Sequence, residues 1–94
     1  MKHYIISKFK PGFDLNASLA DIKSIFNKLT QIEGIHAVEY KLNCIPRDNR
    51  YNLMIIIDMD KEALSLYDSS VPHKEWKEKY GSLLESKAIF DSEE

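Results

Sequence analysis

The chain contains a single cysteine, Cys44, among 94 residues, so no intramolecular disulfide can staple it. The residues after Cys44 are an isoleucine, a proline and then charged and polar groups, which marks the thiol as an incidental one in a loop. Three glycines and three prolines are too few for a linker or a low-complexity tract, and no internal repeat is present. No apolar run approaches the ~18–20 residues that a membrane span requires. At the N-terminus Tyr4, Ile5 and Ile6 give way at once to Ser7 and Lys8, which is too short for a signal-peptide core. A cytoplasmic location is the expectation. Charge of one sign is also missing: 13 Lys and Arg stand against 15 Asp and Glu, interspersed, for a net charge of -2. With no basic stripe to neutralise phosphates, nucleic acid is excluded as a partner. Three isolated histidines, His3, His36 and His73, form no i,i+4 pair, so neither a metal nor any other cofactor is expected.

What is present reads as one globular α+β domain spanning residues 1–94. Apolar residues make up 44% and charged residues 30%, an ordinary folded composition. His3 to Lys10 is short, aromatic and β-branched, and stops at Pro11-Gly12: strand one. Leu19, Ile22, Phe26 and Leu29 then recur at helical spacing with Ile25 beside them. Ser18 with Asp21, or else Asn16, would cap this helix, and Gly34 would end it. Ile35 to Leu42 makes strand two, with His36, Val38, Tyr40 and Leu42 on one side. Asn43 to Arg50 is a polar hairpin connection, and its Arg47 and Arg50 read as solvated. Tyr51 to Met59 is strand three. Asp60 caps a short helix through Ala63, Leu64 and Tyr67, which breaks at Ser69-Ser70. Pro72 suits the first turn of the next helix, whose face is His73, Trp76, Tyr80 and Leu83 or Leu84. Lys87 to Asp91 closes the chain as strand four.

The order β-α-β-β-α-β leaves few right-handed solutions. The expected one is a ferredoxin-like subunit: a four-stranded antiparallel sheet in spatial order 4-1-3-2 with the helices on one face. Such a sheet shows water its other face, so its strands should alternate. The two central strands do not. Tyr4 and Ile6 oppose Ile5 and Phe9, and Met54 and Ile56 oppose Leu53, Ile55, Ile57 and Met59. Four such side chains left in water forgo about 1.5–3 kcal/mol each. A second sheet should cover them, and a two-fold homodimer is the commonest source of one.

The chain resembles the stress-responsive dimeric alpha/beta-barrel (Dabb) family over essentially its whole length. The resemblance rests on Lys2 to Ile6 running into Lys8 to Gly12, on Ile35 to Tyr40, on Tyr51 to Asp58, on Tyr67 to His73, and on Lys87-Ala88-Ile89-Phe90-Asp91. It implies a homodimer whose two sheets form a barrel, and a stress-associated role. The family commonly has His-Pro-x-His before its last helix; here Ser70-Val71-Pro72-His73 keeps the second histidine and replaces the first by serine. Members include plant polyketide cyclases, and related dimeric barrels include cofactor-independent monooxygenases. The resemblance places a catalytic tyrosine and two histidines at Tyr67, His73 and His3.

On this basis the chain is expected to bind a small apolar or aromatic ligand between helices and sheet, lined by Ile5, Trp76 and Tyr80. One alternative is an enzyme moving a proton on a carbonyl or phenolic compound, with His73 as base, Tyr67 as hydrogen-bond donor at the rim and His3 positioning the substrate. Asp68 or Glu62 would orient an imidazole. A further alternative is a structural protein without ligand.

Overall fold

A computed structural model describes residues 1–94. Strand β1 (Lys2–Phe9) leads to helix α1 (Leu15–Asn27) and a 3-10 turn (Lys28–Gln31), then to β2 (Ile35–Leu42) and β3 (Leu53–Met59). A second 3-10 turn (Lys61–Ala63), short helix α2 (Leu64–Asp68) and helix α3 (Val71–Tyr80) follow. A third 3-10 turn (Gly81–Leu83) delivers the chain to β4 (Leu84–Ser92). The sheet order is β2-β3-β1-β4, all antiparallel, which is the order expected from the sequence. No helix is long and apolar enough to cross a membrane.

The pleat sorts the residues. In β1, His3, Ile5, Ser7 and Phe9 are buried while the residues between them are half-exposed. In β3, Leu53, Ile55, Ile57 and Met59 join Ile5 and Phe9 in one core with Ile22, Ile25, Phe26 and Leu29 of α1 and its following turn, and with Trp76 and Tyr80 of α3. This is the helix-covered face. The other face of the central strands holds Tyr4, Ile6, Met54 and Ile56, joined by Phe90 of β4, which is 62% exposed.

Several local expectations are corrected. The cap of α1 is Asp14, whose carboxylate accepts from the Ala17 N–H at 3.1 Å, so the helix starts ahead of both Asn16 and Ser18. Leu15 stands four residues before Leu19 and extends the apolar stripe by one turn, so the period itself points to a cap ahead of Asn16. Strand β4 begins three residues early, at Leu84, and β3 begins at Leu53 rather than Tyr51. Asp60 precedes its 3-10 turn but makes no side-chain cap; its carboxylate instead takes His36 Nε2 at 2.9 Å. His36 sits at an irregularity in the β2–β3 register between Ile35 and Ala37 and is exposed, not packed on the apolar side. The bulge keeps Ile35 and Val38 facing the core although they are an odd three positions apart.

Ser70 caps α3 with its hydroxyl, accepting from the His73 N–H at 3.2 Å, and Pro72 occupies the first turn as expected. Gly34 has φ +88, the left-handed region. A Cβ there would stand 2.9 Å from the Ala63 Cβ, where strand β2 passes the turn after β3. Backbone strain and a side-chain clash therefore act together. Gly34→Ala is expected to destabilise the fold by about 1–3 kcal/mol, read as a lowered midpoint in urea unfolding.

Candidate functional site

The residues His3, Tyr67 and His73 come from β1, α2 and α3, and the fold brings them together. The His3 and Tyr67 ring centroids are 5.2 Å apart, and those of Tyr67 and His73 are 4.7 Å apart. Tyr67 is the middle of this stack and is 2% exposed, so it lies inside and not at the rim. His3 is buried on the sheet side. His73 is the half-exposed end, facing a polar cleft of about 420 Å³ whose walls include Asp68, Ser70 and Lys77.

The hydrogen bonds fix both imidazole tautomers. His73 Nδ1 lies 2.9 Å from the Asp68 carbonyl oxygen, which can only accept, so Nδ1 carries the proton and Nε2 the lone pair. His3 Nδ1 lies 2.5 Å from Asp91 Oδ1, which orients the ring in the same way. The orienting carboxylate is therefore Asp91, and not Asp68 or Glu62. The Asp68 backbone serves His73, and its side chain does not. Sequence reading passed over Asp91 because only the β1–β4 register sets it opposite His3.

Burial, with the Asp68 carboxylate second, pushes the Tyr67 phenol well above its ordinary range. At neutral pH its hydroxyl is a donor and never a phenolate. No side chain of the protein hydrogen-bonds to it.

The other candidates fall elsewhere. Ile5 and Trp76, at 1% and 2% exposure, belong to the core. Trp76 packs edge-on to Phe9 and Phe26 at 6.4 and 5.2 Å. Tyr80 lies against Trp76 and donates its hydroxyl to Asp21 Oδ2 at 2.5 Å, which lowers the Asp21 pKa. No group of three or more His, Cys, Asp or Glu side chains is arranged to hold a metal ion.

With the geometry in place, the class of protein follows: an α+β ferredoxin-like domain with an apolar second sheet face. No family model and no curated protein matches the sequence. Solved structures do match it, through the fold. A dimeric protein of unknown function with a ferredoxin-like fold from Bacteroides fragilis superposes with a TM-score of 0.75 at 20% identity, covering 99% of this chain and 94% of that one. A Dabb family protein with a ferredoxin-like fold from Mesorhizobium loti gives 0.74 at 19% identity, covering 99% and 94%. A hydroxynitrile lyase from Passiflora edulis gives 0.74 at 12% identity, covering 95% and 87%. The particular form of the domain is thus the one found in dimeric ferredoxin-like proteins and in a Dabb family protein, in agreement with the resemblance carried by the sequence.

Proposed function

We propose that the chain is a homodimeric small-molecule protein whose His3–Tyr67–His73 stack moves a proton on a carbonyl or phenolic compound. Homodimerisation through the open sheet face is supported by the apolar side chains on it, and by the dimeric state of structural neighbours. In the reaction, His73 Nε2 takes a proton from the carbon or oxygen of the substrate. Tyr67 donates a hydrogen bond to the oxygen on which negative charge develops. His3, held by Asp91, presents its Nε2 lone pair to a substrate hydroxyl and fixes the orientation. The same imidazole of His73 returns the proton to the product, so no cofactor enters the balance. The Passiflora enzyme, named for cleavage of hydroxynitriles, supports this reading as an analogy of fold. The packed positions of Ile5 and Trp76 argue against an apolar chamber beneath the helix layer and favour entry from the His73 end, where the polar cleft opens.

The observation that carries the reading is the run of three neighbouring rings, His3 to Tyr67 to His73, with centroids 5.2 and 4.7 Å apart and both Nδ1 atoms held by hydrogen bonds. Mass spectrometry of material co-purifying with the native protein tests it. A phenolic or carbonyl compound is expected with the native chain and is expected to be lost from His73→Ala and Tyr67→Phe. Retention of the same compound by both variants would place the binding elsewhere and overturn the proposal.

A further inference from the structure

The cleft of about 420 Å³ at the His73 end has walls of one kind: no apolar side chain lines it. A ligand group seated there gains nothing from apolar contact and must be held by charge and hydrogen bonds. Most of the polar groups in its walls are already engaged. Ser69 gives its hydroxyl proton to the Ser65 carbonyl at 3.1 Å, and Ser70 gives its own to the Tyr67 carbonyl at 2.7 Å. His73 uses its Nδ1 proton on the Asp68 carbonyl and keeps the Nε2 lone pair. Lys74 faces Glu78 across 4.0 Å. Lys79, outside the cleft, is held by Asp21 and Glu75 at 3.1 and 3.9 Å. Lys77 alone among the three lysines of α3 is in no ion pair, and it lines the cleft. The Asp68 side chain is likewise without a partner.

We propose, resting on the proton-transfer reading above, that Lys77 binds a carboxylate of the substrate and that the substrate is a short 2-oxo acid. An uncommitted ammonium asks for an anionic acceptor, and the Nε2 lone pair of His73 asks for an acidic proton. One small molecule answers both when it carries a carboxylate near an acidic carbon. His73 and Lys77 stand four residues apart on α3, about 6 Å along its axis and on the same face. In a 2-oxo acid the carbonyl carbon separates the carboxylate from the acidic carbon, which spreads the two groups to meet side chains one turn apart. His73 then takes the proton from that carbon and delivers it to the carbonyl oxygen, so the keto form becomes the enol with no atom gained or lost. One free ammonium beside the free carboxylate of Asp68 suits a monoanion and disfavours a phosphate dianion. A long alkyl or aryl substituent would find no apolar wall in the cleft. Every group invoked lies on the helix layer, so a second copy seated on the open sheet face leaves the site clear.

Two probes test the assignment: 2-oxobutanoate and 2-oxobutanamide, which share the ketone and the acidic methylene and differ in a carboxylate against a neutral amide. Exchange of the methylene protons in deuterium oxide is followed by NMR at low ionic strength with the native protein, His73→Ala, Lys77→Met and Lys77→Arg. Each rate is divided by the rate that free imidazole gives with the same probe, which removes the difference in intrinsic acidity. The native protein is expected to favour the acid by about tenfold, as one charge-assisted hydrogen bond in an open cleft gives, and the preference should shrink as salt is added. Lys77→Met should bring the ratio to one, Lys77→Arg should keep it, and His73→Ala should end exchange of both probes. A native ratio of one, or a preference that survives Lys77→Met, overturns the carboxylate assignment and leaves His73 in place as the base. If exchange is absent while 2-oxobutanoate at millimolar concentration still shifts the His73 signals of the native protein and not those of Lys77→Met, the carboxylate site stands and the proton-transfer reading falls. With neither exchange nor shift, both fall.

Discussion

Phe90→Asp is expected to convert a dimer into a monomer without unfolding the subunit. Phe90 is 62% exposed on the open face of β4, and its ring meets Tyr4 edge-on at 6.2 Å. Because the ring is largely in water within one subunit, replacing it costs that subunit little. A two-fold interface, in contrast, uses each residue twice. Full burial of a phenylalanine side chain is worth about 1.5–3 kcal/mol, so two copies account for about 3–6 kcal/mol of association. That corresponds to a dissociation constant raised by roughly two to four orders of magnitude. The introduced carboxylates would also have to be dehydrated. Light scattering at micromolar concentration should give twice the chain mass for the native protein and the single-chain mass for the variant, with unchanged far-ultraviolet circular dichroism. A native protein that is already monomeric under these conditions would remove the basis for the barrel pair. The ring stack of His3, Tyr67 and His73 sits on the other side of the sheet and would survive that outcome.

The fold was legible because its two periodicities are clean. Leu19, Ile22, Phe26 and Leu29 recur at helical spacing, and Leu53, Ile55, Ile57 and Met59 alternate, so element types and their order followed directly. The doubly apolar central strands were legible for the same reason, since a period of two cannot hide apolar residues at both parities. Local chemistry at the element ends was harder. Asp14, Ser18 and Asn16 are all competent caps, and the choice among them depends on where the chain leaves the Pro11-Gly12 turn. His36 was misplaced because a single extra residue in β2 shifts the pairing and takes its ring out to Asp60.

Of the candidate site, the meeting of His3, Tyr67 and His73 was legible through the resemblance, but their order was not. Tyr67 lies inside because α2 is a single short turn that drops the ring between strand β1 and helix α3. Asp91 was invisible as the group that orients His3. It gains its meaning from His3 across the β1–β4 ladder, and a pairing that spans 88 residues of sequence cannot be read from composition or spacing. A strand-end aspartate is, taken alone, ordinary.

Trp76→Ala should have the largest effect on stability, and the way it acts decides what Trp76 is for. The indole is 2% exposed and touches three aromatic rings: Phe9 of the sheet, Phe26 of α1 and Tyr80 of its own helix. It therefore ties both helices to the sheet at one point. Truncating a buried tryptophan costs about 3–5 kcal/mol, from lost transfer energy and from the cavity that the neighbours cannot close. A domain of this size has about 5–15 kcal/mol in total, so the variant should melt far below the native protein or fail to fold at physiological temperature. A residue serving a ligand would behave differently, because its loss would weaken binding and leave the unliganded melting temperature nearly unchanged. Trp76→Phe sharpens the distinction. It keeps an aromatic knob between Phe9 and Phe26 and should recover more than half of the lost stability, whereas a ligand-stacking role would show no such recovery in the absence of ligand. A Trp76→Ala protein as stable as the native one would return Trp76 to the ligand site and imply that the helix layer is held over the sheet by the rest of the core, Ile22, Ile25, Phe26, Leu29 and Tyr80 among it.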